Sequence, residues 1–248
     1  MNLWRLELLR LSRTHRWMIL AGAYLMFGVL GPLTARYFTE IMERFGGGMT
    51  IVAPDPRPVD GIEQFVGNAS QLGLLAVVGV AVAALAIDTR PEVAAFLRTR
   101  VARASALVIP RYVTTTVAAV CALVAGTAVA WALTTVLIGD LPTGAMVLGT
   151  ALGALYLAFA VAVAAAVSGW VRSQLGGVLV VLAVLLALPV LGLLPDVAPW
   201  LPSRLLGAVV ALVEGAAASE FTRAGVVTVV VTAALLFAAT RLVARREL

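Results

Sequence analysis

Six stretches of this chain run apolar for 17 or more residues with no Asp, Glu, Arg or His among them. They fall at 17–35, 69–87, 112–138, 146–171, 177–194 and 224–240, together 126 of the 248 residues. A bilayer's hydrocarbon core is crossed by a helix of about 20 apolar residues, with a working range of roughly 17–25. Each stretch therefore predicts a transmembrane helix. A seventh run, 205–215, is shorter, contains Glu214 and follows Pro199 and Pro202. It predicts a short interfacial or re-entrant helix between spans five and six, outside the bilayer. The expected fold class is an all-α polytopic membrane protein, with a six-span transmembrane domain over 17–248.

Two helical patterns lie outside the spans. In segment 1–16, Trp4, Leu8, Leu11 and His15 recur at i, i+4, i+7 and i+11, while Arg5, Arg13 and Arg16 fall roughly opposite. This predicts an amphipathic helix in the headgroup region, apolar side down and Arg toward anionic lipid. The second pattern is in the loop 88–109. Asp88 and Thr89 are capping residues, Pro91 suits a first helical turn, and Glu92 faces the helix dipole favourably. Val93, Phe96, Leu97 and Val101 follow at helical spacing beside Arg98, Arg100 and Arg103. A helix over 91–103 would be about 20 Å long, too short and too charged to span.

Composition agrees with the pattern and removes several chemistries. Apolar residues make up 62% and charged residues 12%, against about 45–50% and about 25% in soluble domains. All 18 basic residues are Arg. A P-loop needs a Lys on the β- and γ-phosphates and a Schiff-base enzyme needs an amine, so neither chemistry is open to this chain. One Cys (Cys121) and one His (His15) cannot build a Cys/His zinc cluster or an intrachain disulfide. No catalytic, cofactor-binding or metal-binding residue is expected.

The net charge of +5 points to the membrane rather than to nucleic acid once its distribution is read. With six spans, thirteen Arg fall on the side that holds both termini and five on the other, while the acids divide four against nine. The positive-inside rule places both termini in the cytoplasm. The 16-residue charged segment, and small residues at the start of the first apolar run rather than its end, predict an uncleaved first helix.

The predicted spans hold hydroxyls (Thr114, Thr127, Thr134, Ser168, Thr228 and Thr232 among them) and Tyr24 and Tyr156, but no ionisable relay. Proton- and ion-coupled transporters ordinarily keep intramembrane carboxylates or His. Each decade of concentration gradient costs about 1.4 kcal/mol, so a pump of this composition draws its driving force from another subunit. The rival classes are a secondary transporter or channel, which would transport without ATP, and a non-transporting membrane anchor of a complex.

Taken together, the basic amphipathic N-terminal helix, the six spans and the charged helical loop between spans two and three resemble the type-2 ABC exporter permeases. The stretch from Asp88 through Pro91 and Glu92 to Phe96, Leu97 and Arg98 is similar to that family's coupling region, with the usual Gly-Thr missing and Arg100 at an expected apolar or Pro position. Trp200-Leu201-Pro202-Ser203-Arg204 resembles its external Leu-Pro turn, and Arg245-Arg246-Glu247-Leu248 its Arg-Arg-acidic ending. The resemblance implies a permease subunit in a bacterial plasma membrane that pairs with a second permease. It also implies a separate ATP-binding cassette subunit, which carries the ATP and Mg and docks on Val93, Phe96, Leu97, Arg98, Arg100 and Arg103. The apolar spans favour an amphiphilic or hydrophobic cargo.

Overall fold

The computed structural model describes residues 3–45, 55–86, 105–171 and 173–245, and every regular element among them is helical. Helix α1 (Leu3–Arg13) precedes α2 (Arg16–Arg36), the first span, and α3 (Phe38–Phe45) follows it. The second span is continuous from Pro58 to Leu85 and consists of α4 (Pro58–Asn68), a π-helical turn (Ala69–Gly73) and α5 (Leu74–Leu85). Helices α6 (Ser105–Leu137), α7 (Thr143–Trp170) and α8 (Gln174–Leu191) are the third to fifth. After α9 (Ala208–Val213), α10 (Thr222–Arg245) is the sixth. Among the described residues, six helices are thus long and apolar enough to cross a membrane. In lipid every backbone N–H and C=O must be satisfied within the protein, and a helix does this for any sufficiently apolar sequence, Val-rich ones included.

The helix ends follow local chemistry rather than the edges of the apolar runs. His15 separates α1 from α2 with φ at 53°, a left-handed conformation in which His is enriched several-fold over most residues. At the start of α4, Pro58 occupies the first turn and the Arg57 backbone N–H donates to the Asp60 carboxylate at 2.7 Å. The second helix therefore begins at Pro58, eleven residues before the apolar run at Ala69, and takes in Asp60 and Glu63. Helix α6 begins at Ser105, seven residues before Tyr112, and includes Pro110 and Arg111. At 33 residues it is about 50 Å long, longer than a hydrocarbon core is thick.

Packing rests on small residues, as expected where lipid supplies no hydrophobic drive between helices. Helices α2 and α6 touch backbone to backbone. A Cβ added at Gly28 would lie 2.5 Å from the Gly126 carbonyl oxygen, and one at Gly126 would lie 2.5 Å from the Tyr24 carbonyl oxygen. Helix α7 is the central one, burying Tyr156, Phe159 and the run Ala160 to Ala165. It meets α10 at Gly169, where a Cβ would come within 3.1 Å of Leu242 Cβ. Helix α8 is peripheral and buries only Gly177, Val181 and Leu185. Large apolar side chains on α8 and α10, such as Leu186, Val190, Val230 and Phe237, point outward.

The six-residue helix α9 buries Ala208, Val209 and Leu212 against α7 and α4. Its Val209 lies directly on Gly149, leaving no room for a Cβ there. The Gly149-xxx-Gly153 spacing thus serves a short surface helix at its first glycine and, at its second, ordinary contact with Leu123 on α6. The turns around α9 are tied by the Arg204–Glu220 ion pair at 2.9 Å. Arg204 also stacks over the Phe221 ring and Arg223 over the Trp200 ring.

Candidate functional site

Polar groups meet at a buried joint at the start of the chain and beside a cavity among the first four spans.

The joint is built by α1, the first turn of α2 and the base of α6. Leu3, Leu6 and Glu7 of α1 face Ala106, Leu107, Pro110 and Arg111 across a gap of about 10 Å³. Glu7 and Arg111 are almost fully enclosed, at 7% and 5% exposure. The Arg111 Nε–H donates to Glu7 Oε1 at 3.0 Å, and Arg10 Nη1 lies 3.8 Å from Glu7 Oε2. Removing one partner of a buried pair leaves an uncompensated charge, which typically costs about 3–5 kcal/mol. The pair therefore holds α1 in one position on α6.

The residues expected to form the membrane-facing helix divide around this joint. Trp4, Leu8, Arg5 and Arg13 are exposed, whereas Leu11 and Arg16 are half-buried. The apolar stripe is thus turned largely away from the protein, and the enclosed face is centred on Glu7. Sequence periodicity missed Glu7 and Arg111 as partners. The available signal was an acid alone among the four Arg of the first 16 residues. His15 is exposed and serves as the left-handed link between helices. The expected docking residues Val93, Phe96, Leu97, Arg98, Arg100 and Arg103 lie outside the described residues.

The cavity, of about 40 Å³, is walled by Tyr24, Phe65, Thr127, Thr150, Leu157 and Val209 among others. A void of that size admits a few waters at most. Its Ser and Thr hydroxyls are engaged with their own helices. Ser70 donates to the Gly67 carbonyl at 2.9 Å, Thr127 to Leu123 at 2.9 Å and Thr150 to Met146 at 2.6 Å. Thr114 and Thr228 do the same, to Pro110 at 2.8 Å and Ala224 at 2.6 Å. Elsewhere in the bundle the hydroxyls of Tyr156, Thr134, Ser168 and Thr232 are buried without a hydrogen-bond partner among the described residues. The π-helical turn borders the cavity through Ala69 and Ser70, and Gly73 at its end lies against the Tyr24 ring. Such turns interrupt the regular α-ladder and recur at functional positions.

Among the described residues no three of His, Cys, Asp and Glu converge as a metal site would require. No protein-family model and no curated protein matches this sequence.

Proposed function

We propose that this chain is the membrane subunit of an ATP-binding cassette exporter of the type-2 class. In that reading two permease subunits form the pathway across a bacterial plasma membrane, both termini are cytoplasmic, and separate ATP-binding subunits drive the cycle. The chain itself is not an enzyme. The helix expected over 91–103 is the motor contact, α1 is a cytoplasmic interfacial helix, and α9 belongs to the external face.

One observation supports this reading above the others. The chain segment before Ser105 holds the expected motor contact, and the first two turns of α6 that follow it carry the contact with α1. A push on the loop would then act on a helix that is locked to α1 by Glu7–Arg111 and packed backbone to backbone on α2. Such a unit can pass a displacement into the bundle, which is what a separate motor requires.

The test is reconstitution. The purified chain alone should neither bind nor hydrolyse ATP, and cargo export should appear only with a P-loop subunit present. Saturable hydrolysis by the rigorously purified chain, or transport in vesicles without any partner or nucleotide, would reject the proposal. The second outcome would favour a secondary transporter or channel.

A further inference from the structure

Of the six apolar runs, only 69–87 contains a carboxamide, Gln71. It sits in the π-helical turn Ala69–Gly73 and is exposed, as are Leu72 and Leu75 beside it. Its depth follows from its neighbour Gly73. A Cβ there would lie 3.2 Å from Tyr24 Cζ, and Tyr24 stands beside the midpoint of the first span, Arg16–Arg36. Gln71 is therefore within about one helical turn of mid-depth. The hydrocarbon core extends about 15 Å to either side of its midplane, so a Gln side chain at this level cannot reach the headgroups.

Other polar groups on this helix are satisfied within it. Asn68 Nδ2 donates to the Gln64 carbonyl at 2.9 Å, and Ser70 to the Gly67 carbonyl at 2.9 Å. The side-chain amide of Gln71 makes no hydrogen bond to any described residue. An amide left unpaired in hydrocarbon is strongly unfavourable, and a carboxamide needs both a donor and an acceptor at its own depth. A second copy inserted in the same direction carries just those groups, at the same level. With a two-fold axis along the membrane normal, each Gln71 Nε2–H donates to the other's Oε1, closing two hydrogen bonds at once. The flanking surface suits a close approach. Gly67, Gln71, Leu75 and Gly79 recur every four residues and are all at least partly exposed. A Cβ added at Gly67 or Gly79 would meet nothing within 4 Å, so both leave open space for the backbone of a second helix.

We propose that Gln71 marks a self-association face, on which the second span of one copy packs against the second span of another through a reciprocal Gln71 amide pair. The π-helical turn and its neighbours are then an interface, and Leu72 and Leu75 cover the amides from lipid. The face rests on depth and hydrogen bonding alone, so it stands whether or not the chain is driven by ATP.

The experiment uses the full chain in phosphatidylcholine vesicles without nucleotide or cargo, which keeps its outcome separate from the reconstitution test of export. Energy transfer between donor- and acceptor-labelled copies is followed as the chain is diluted with lipid. The wild type should show a monomer–dimer equilibrium. Interhelical polar contacts of this kind change association by about tenfold, so Gln71→Leu should weaken the dimer by about that factor. Val230→Ala, at a side chain 62% exposed on α10, should retain the wild-type value. In a Cys121→Ala background, oxidation of the Leu75→Cys variant should give a covalent dimer. The Phe237→Cys variant, at a position 61% exposed on α10, should not. Unchanged dimer affinity in Gln71→Leu, or cross-linking of Phe237→Cys and not of Leu75→Cys, would overturn the face. A wild type that stays monomeric at every dilution would overturn it too, and would leave Gln71 to be covered by a different subunit or by lipid.

Discussion

Glu7 and Arg111 stand 104 positions apart in the sequence and 3.0 Å apart in space. That pair ties the first helix of the chain to the base of the third span, so α1 is held by protein as well as by any bilayer it touches. A helix held by lipid alone could slide or rotate. One held by a buried ion pair has a fixed register on α6.

The pair should therefore behave as a unit. Glu7→Gln alone should destabilise the purified protein by about 3–5 kcal/mol, because it leaves the buried Arg111 charge unpaired, and Arg111→Met should cost less, because Glu7 keeps Arg10 at 3.8 Å. Glu7→Leu/Arg111→Met removes both charges and should recover most of that loss. A double-mutant cycle on detergent-solubilised protein, read by heat or by added SDS, measures the coupling. If the double variant loses the sum of the two singles, the residues act independently and α1 is not locked to α6.

The crossing of α2 and α6 makes a second, sharper claim about space. A Cβ at Gly126 would lie 2.5 Å from the Tyr24 carbonyl oxygen, and overpacking of that kind costs about 1–3 kcal/mol. Gly22, on the same α2, is exposed with nothing within 4 Å of an added Cβ. Gly126→Ala should lower the unfolding midpoint, while Gly22→Ala should leave it unchanged or raise it slightly. A reversed order would show that the two helices do not approach as closely as described.

The six long helices are legible in the sequence because lipid demands uninterrupted apolar length, and length is the feature a pattern along one chain shows best. The helix starts are not legible in the same way. Asp60 lies nine residues before the apolar run that begins at Ala69, yet as a cap it accepts the Arg57 backbone N–H and starts the helix at Pro58. The orientation of α1 shows a deeper limit. The apolar stripe Trp4, Leu8 and Leu11 names the face turned largely away from the protein, but nothing in it says that the enclosed residue on the other side is the acid Glu7. Pairing Glu7 with Arg111 needed the third dimension, since nothing local links them. The hydroxyls of Thr114, Thr127 and Thr228 bond their own helices, as the chemistry of membrane Thr suggests. The π-helical turn at Ala69–Gly73 has no visible signature in its residues.

Orientation across the membrane is open to direct labelling. Cys121 is the single Cys and is exposed on α6, so it is first replaced by Ala. With both termini cytoplasmic, a Cys introduced at Thr50 should react with an impermeant thiol reagent in intact cells, and one introduced at Thr99 should not. Both should react after the cells are opened. The opposite pattern in intact cells would reverse the topology and move the proposed motor contact to the wrong side.

The motor contact itself is the prediction on which the functional proposal most depends. Binding energy at protein interfaces concentrates in a few enclosed side chains, about 2 kcal/mol or more for each hot spot, while rim charges mainly set association rate and register. Phe96 and Leu97 are the apolar anchors of the helix expected over 91–103, and Arg98, Arg100 and Arg103 supply its charge. Phe96→Ala should therefore reduce co-purification with the ATP-binding subunit more than Arg103→Ala does. Arg98→Glu should impair cargo-stimulated ATP hydrolysis while the chain still inserts and folds normally, because the residue lies between apolar spans and not within one. All three variants are compared for expression, pull-down and stimulated hydrolysis rate. Comparing Phe96→Ala with Glu7→Leu/Arg111→Met, each made separately, then asks whether force passes through the joint. If the joint is the relay, the unpaired-joint variant should keep partner binding yet lose stimulation. If Phe96→Ala and Arg98→Glu both retain wild-type binding and stimulation, the loop only marks the cytoplasmic side, and docking would have to fall to Trp4, Leu8 and Leu11 of α1.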